Sequence, residues 1–233
     1  MAKGKFIVID GIDGTGKATQ AALLVQRLRR EGKKAKAVEF PNYYKNFFGK
    51  LLGEYLSGKY GDFIEMDPHV ASVLYAADRF ESSGQIRRWL AAGYTVVADR
   101  YVSANQIHQG SKITDEADRR LFLHWLEKME YEVFKIPRPD LILYLHLSVA
   151  LSQELLKNKL LAFKKRYAEG RRDVAEDNLK HLVESQKNAS GIIKRYNNWY
   201  KIECQQDNQV KPKEVIHELV YRRVAKLLKP SKK

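Results

Sequence analysis

Cysteine is almost absent from this sequence. Cys204 is the only one in 233 residues, which excludes an internal disulfide framework. No apolar run approaches the ~18 residues that a membrane helix requires. The basic start "MAKGK" leads into a short apolar stretch, "FIVID", that runs straight into a glycine loop and is too brief for a signal-peptide core. A cytoplasmic protein without a membrane partner is expected. The six histidines, at 69, 108, 124, 146, 181 and 217, have no metal-ligand spacing, and no serine, cysteine or histidine triad stands out. Repeats, low-complexity tracts and linkers are missing too. Residues 1–233 therefore read as a single domain, with 44% hydrophobic residues to build its core.

Acidic residues are also scarce. Against 42 Lys and Arg there are 28 Asp and Glu, a net charge of +14 that invites a nucleic-acid reading. The surplus is clustered: six basic side chains in residues 27–36, seven in 157–172 and eight in 211–233. The first and last clusters fall on helix ends and a "KPSKK" tail, where solvated surface is the ordinary explanation, so charge alone does not make nucleic acid a partner. The middle cluster overlaps "AFKKRYAEGRRD", residues 162–173, where apolar spacing lapses and Gly170 interrupts a helical pattern. A mobile lid and an exposed helix joint both fit that pattern.

What the sequence does have is alternation. "KFIVID" has the pattern of a buried strand, and residues 18–30 place Ala22, Leu24, Val25 and Leu28 at helical spacing. "KAKAVEF", closed by Pro41, "YTVVADR", "DLILYLHL" and "YKIECQ" read as further strands. Helical patterns lie between them: "FFGKLLGEYL", the stretch from Asp67 to Gly93, the stretch from Asp115 to Phe134, and a long stretch over 148–200. Strands alternating with helices predict an α/β protein of three layers, α/β/α, with a five-stranded parallel sheet covered on both faces.

Between the first strand and the first helix stands "GIDGTGKAT", residues 11–19. Gly11, Gly16 and Lys17 fit the phosphate-binding pattern G-x-x-x-x-G-K-[ST], with Asp13, Gly14 and Thr15 inside the loop. Such glycines let successive N–H groups turn inward on phosphate oxygens at a helix N-terminus, and the lysine adds a point charge. Ala18 departs from the pattern, standing where a hydroxyl should hold Mg²⁺. Thr19 is next to it, but one residue along a helix turns a side chain by about 100°. The third strand ends in Asp99 and Arg100, at the carboxyl edge where open α/β sheets bind ligands. An acid there suits Mg²⁺ held through water, and an arginine suits a bidentate grip on phosphate. Tyr75 with Arg79, and Asn105 with Gln109, have i, i+4 spacing and would suit a planar heterocycle. A core aromatic with two solvated amides fits the same residues.

These motifs together resemble the thymidylate kinase family, the nucleoside monophosphate kinases that phosphorylate dTMP with ATP. The likeness runs through "FIVIDGIDGTGKATQ", "FPNYY", "LYAADRFE", "DRYVSANQIHQG", "PDLILYLHL" and "RRDVAEDN", over nearly the whole chain. It implies a P-loop kinase fold with a helical lid at about 160–174, ATP and Mg²⁺ as cofactors, and a homodimer packed through helices. Asp13 would meet the sugar 3′-hydroxyl of dTMP, and Tyr75 would stack on thymine. Phe40, Pro41, Arg79, Tyr101, Asn105 and Gln109 would complete the substrate site. Arg100 would bridge donor and acceptor phosphates, and Asp99 would organise Mg²⁺ through water. One family branch has a catalytic arginine at the position of Gly14, so the branch with a basic lid is the closer match, with Arg166, Arg171 and Arg172 as candidates. The arginine that the family usually places near "FP" is missing, or replaced by Lys45. A kinase of another monophosphate, and a degenerate nucleotide-binding module, are the alternative readings.

Overall fold

The computed structural model describes residues 3–61, 63, 65–164 and 179–229. Its strands are β1 (Phe6–Asp10), β2 (Ala35–Glu39), β3 (Thr95–Asp99), β4 (Leu141–His146) and β5 (Trp199–Glu203). All pair in parallel, in the order β2-β3-β1-β4-β5. The helices are α1 (Lys17–Arg30), α2 (Phe47–Leu56), α3 (Pro68–Ala91), α4 (Val102–Ala104), α5 (Glu116–Lys128), α6 (Val149–Lys164), α7 (Leu179–Arg195) and α8 (Lys213–Leu228).

Two cores lie on either side of the central strand, and its alternation divides them. Phe6 and Val8 pack with Val96, Ala98, Ile142 and Tyr144 against α3, α5 and α7. Ile7 and Ile9 pack with Val97, Leu143 and Leu145 against α1 and α8. Burial on both faces is why these strands read as continuous apolar runs. The three-layer α/β/α architecture is the expected one, and α2 has the bounds of "FFGKLLGEYL".

Several details differ from the sequence reading. The helical pattern over 148–200 overruns β5, which begins at Trp199, and Cys204 lies one residue beyond that strand, buried in the second core. The segment after β3 continues from α4 into a π-helical turn, Asn105–Gln109, and a 3₁₀ turn, Gly110–Lys112. The helix expected to reach Phe134 is α-helical only to Lys128, then widens into a second π turn, Met129–Val133. Such turns close i→i+5 rather than i→i+4 bonds and concentrate at functional sites. A hairpin of β6 (Gln205–Gln206) and β7 (Gln209–Val210) was not expected. Its corner residues Asp207 and Asn208 have φ of 49° and 57°, as a type I′ turn demands. Of the lid expected at about 160–174, residues 160–164 belong to α6; the remainder, with Arg166, Arg171 and Arg172, lies outside the described residues.

Candidate active site

The glycine loop leaves β1 directly over Asp10. That carboxylate is fully buried and accepts the Gly11 N–H at 2.8 Å and the hydroxyl of Ser103 on α4. It thereby ties the loop to the segment after β3. Thr15 is buried and donates its hydroxyl to the Ile12 carbonyl at 2.8 Å. Lys17 opens α1, but its ammonium folds back to the same carbonyl at 2.9 Å and to Asp13 at 3.3 Å. Gly14 has φ of 83°, and a Cβ there would come within 2.3 Å of the Ser152 carbonyl on α6. A side chain at this position, arginine included, would be strained in its backbone and would collide with α6. Ala18 and Thr19 are exposed on the cavity rim.

Asp99 closes β3 opposite Ile9 of β1. Arg100 follows with φ of 63°, a left-handed conformation that costs a non-glycine residue of order 1–3 kcal/mol and is typical of functional sites. Its N–H is held by the Ile9 carbonyl at 3.0 Å. The turn carries its guanidinium to the glycine loop, where Nη2 bonds Asp13, while Nη1 lies 3.4 Å from Nε2 of His108. Burial pushes the Asp13 carboxyl up, but Arg100 and Lys17 outweigh it and hold the group well below the usual carboxylate range. Asp10, more completely enclosed, is raised by burial despite the same two cations. Burial, with Arg100 beside it, lowers the Lys17 ammonium.

A single cavity of about 530 Å³ joins this charged cluster to a wall of aromatic and amide side chains. It brings together Asp13, Gly14, Gly16, Lys17, Ala18, Thr19, Asp99 and Arg100 on one side with Phe40, Pro41, Tyr75, Arg79, Tyr101, Asn105 and Gln109 on the other. Gly11 and Thr15 are buried behind the loop rather than on the lining. Tyr75 meets Phe63 edge-on, at 5.7 Å between ring centres. Arg79 donates to Glu130 through Nε at 3.2 Å and through Nη2, and to the Tyr101 carbonyl at 3.3 Å. Two of its five N–H groups are left by these three bonds. Asn105 donates to the Ser72 carbonyl at 3.2 Å. The buried Oε1 of Gln109 has no hydrogen-bond partner among the described residues.

The loop after Pro41, whose peptide bond to Phe40 is cis, is fixed from α3. Asp78 accepts the Asn42 N–H at 3.0 Å and the Asn46 amide at 2.8 Å, and Glu81 accepts the N–H groups of Phe47 and Phe48 at the start of α2. Lys45 is exposed and is not part of the cavity lining.

The model of the family described as thymidylate kinase matches residues 9–218, from the end of β1 into α8 and across every element of this cavity. The chain belongs to the thymidylate kinase family. It is 32% identical over 148 residues to human thymidylate kinase, an alignment covering 64% of this chain and 63% of the human one. With thymidylate kinase of Mycobacterium tuberculosis (strain H37Rv) it is 30% identical over 149 residues, covering 64% of this chain and 68% of that one. The aligned stretch thus spans just under two thirds of the human relative's length. A solved structure of thymidylate kinase from Candida albicans matches with a TM-score of 0.71 at 23% identity, over 97% of this chain and 93% of the other. That likeness establishes a shared fold.

Outside the expected set, His108 lines the cavity, while Asp10, Ser103, Asp78 and Glu130 brace its loop and wall through the bonds described above. Asp10 had a signal, a carboxylate closing an otherwise apolar strand. Glu130 had none, because its partner is 51 residues away.

Proposed function

We propose that this protein transfers the γ-phosphoryl group of ATP to dTMP, giving dTDP for dTTP supply. The observation that carries the reading is the place of Arg100: one guanidinium faces both the phosphate loop and the aromatic and amide wall, where the phosphates of two nucleotides would meet. In-line phosphoryl transfer needs positioning and charge neutralisation more than covalent chemistry. The loop N–H groups and Lys17 would hold the donor phosphates, displacing the Lys17 contacts to Ile12 and Asp13. Tyr75, Arg79, Asn105 and Gln109 would hold the base. Asp13 would exchange part of its hold on Arg100 for the sugar hydroxyl.

No group of three His, Cys, Asp or Glu side chains suited to a metal occurs among the described residues. Mg²⁺ keeps much of its water and binds through one or two carboxylates and the nucleotide's phosphates, and the half-buried Asp99 on the cavity lining fits that role without a hydroxyl at position 18. When bound, the ion would supply neutralisation of phosphate charge.

A homodimer accords with Val70, Val73, Ala77 and Phe80 of α3, which form a stripe at coiled-coil spacing in which Val70 is 54% and Phe80 50% exposed. No helix among the described residues is long and apolar enough to cross a membrane. We place the protein in the cytoplasm, where its lone thiol would stay reduced.

The test is a coupled assay of ADP formation with ATP and Mg²⁺, comparing dTMP with dUMP, dCMP, dGMP and no acceptor, with Lys17→Ala as control. Turnover that depends on dTMP and is lost in the control is expected. Preference for another monophosphate would reassign the acceptor. ATP binding without any product would favour a degenerate nucleotide-binding module, the reading that Ala18 and the missing arginine near Pro41 support.

A further inference from the structure

His108 sits in the first π turn, its ring between Arg100 and α7. Nε2 lies 3.4 Å from Nη1 of Arg100, and Nδ1 lies 3.2 Å from the Ser185 hydroxyl. A guanidinium carries only donors, so Nε2 must be the acceptor and bear no proton. The neutral ring then has its hydrogen on Nδ1 and donates it to Ser185. Ser111 donates to the His108 carbonyl at 2.9 Å, so at its 3.1 Å contact with Ser185 it can only accept. The Ser185 hydrogen goes there or to Nε2 of His181, 3.5 Å away. The polarity of the whole chain is thus set by Arg100.

We propose that neutral His108 is a positioning residue for phosphoryl transfer: its Nε2 holds one terminal nitrogen of Arg100 while Asp13 holds the other, fixing the guanidinium on the cavity lining. The inference rests on the kinase reading above. Protonating the ring would turn its acceptor into a donor and set a second positive charge against the guanidinium, releasing it. The ionisable groups facing the ring are Arg100, Asp13 and Lys17 from the strand ends and loop, and His181 from α7. Burial, then the charge of Arg100, hold the ring neutral well below the usual histidine range, against the pull of Asp13.

Two measurements test this. In the ADP assay between pH 5 and 8, His108→Phe should lower kcat on the order of tenfold to a hundredfold, as misplacement of a catalytic group does, with little change in KM for ATP. His108→Gln, which can still accept a hydrogen bond, should recover most of that loss, and its rate relative to wild type should stay flat over this range, where the ring is neutral. A wild-type kcat in His108→Phe, or a His108→Gln variant no better than His108→Phe, would overturn the proposal. Independently of activity, ¹⁵N NMR of the ring should show a proton on Nδ1 and none on Nε2 at pH 7; the opposite tautomer, or a charged ring, would also overturn it. A wild type with no dTMP-dependent turnover would sink the kinase reading and leave the NMR result to decide the role of His108 toward Arg100.

Discussion

Arg79 on the cavity lining and Glu130 off it form a buried ion pair, with side chains 2% and 0% exposed. One comes from the middle of α3 and the other from the second π turn, which swings Glu130 inward. Breaking such a pair on one side strands a buried charge and costs about 3–5 kcal/mol. Glu130→Ala should therefore lower the urea midpoint steeply, and Glu130→Gln less. Replacing both partners with apolar residues of similar volume should restore most of the stability while abolishing dTMP binding.

Gly14 tests how tightly α6 is seated on the phosphate loop. Ala in its place meets both a left-handed backbone and the Ser152 carbonyl, a combined cost of about 2 kcal/mol or more. Calorimetry should show the loss of stability, and titration with ATP should show weaker binding. An arginine variant with undiminished ATP affinity would mean that α6 yields.

Glu31 anchors a surface network that joins α1 to α8. It accepts from Lys33, from the Tyr221 hydroxyl at 2.6 Å and from Arg27 at 3.2 Å, and Arg27 in turn stacks on the Tyr221 ring. Lys33 first, then Tyr221, lower its carboxyl from 4.5 to about 2. A carboxyl lowered by folding stabilises the native state above its unfolded pKa and ceases to do so as the pH falls through its folded one. The stability difference between wild type and Glu31→Gln should be about 0.2–1 kcal/mol at pH 7. It should shrink between pH 4.5 and about 2, and 1 M salt should remove most of it.

Cys204 is 1% exposed, and burial pushes its thiol up to about 12. Since the thiolate is the nucleophile, an aromatic disulfide reagent at pH 8 should leave the native protein almost unlabelled and titrate one thiol in denaturant. Rapid labelling of folded protein would mean that the β5–α8 junction opens readily.

Much of this was legible in the sequence because it is local. Apolar runs bounded by turn residues located the strands, and the glycine spacing placed the phosphate loop between β1 and α1. The opaque parts depend on distance or on register within a turn. Asn105 and Gln109 were read at α-helical spacing, yet they bracket a π turn, which brings His108 as well into the cavity lining. Nothing near His108 announces Ser185, 77 positions later, nor does "LYAADRFE" disclose that Asp78 and Glu81 hold the loop before α2. The turn of β6 and β7 did have a local cue, the Asp-Asn pair, masked by the polar residues around it.

Ile9 and Asp99 are neighbours in the β1–β3 ladder, and the backbone of Arg100 is bonded to Ile9. The phosphate end of the cavity is thus an extension of the innermost strands and can be lost only when they separate. The opposite end is different: Phe40 and Pro41 lead into a segment moored by two carboxylates of α3, which can let go while the rest stands. The two halves of the site therefore differ in durability. Under heat or denaturant the hold on the acceptor should slacken first, and the grip on phosphate should last as long as the sheet itself.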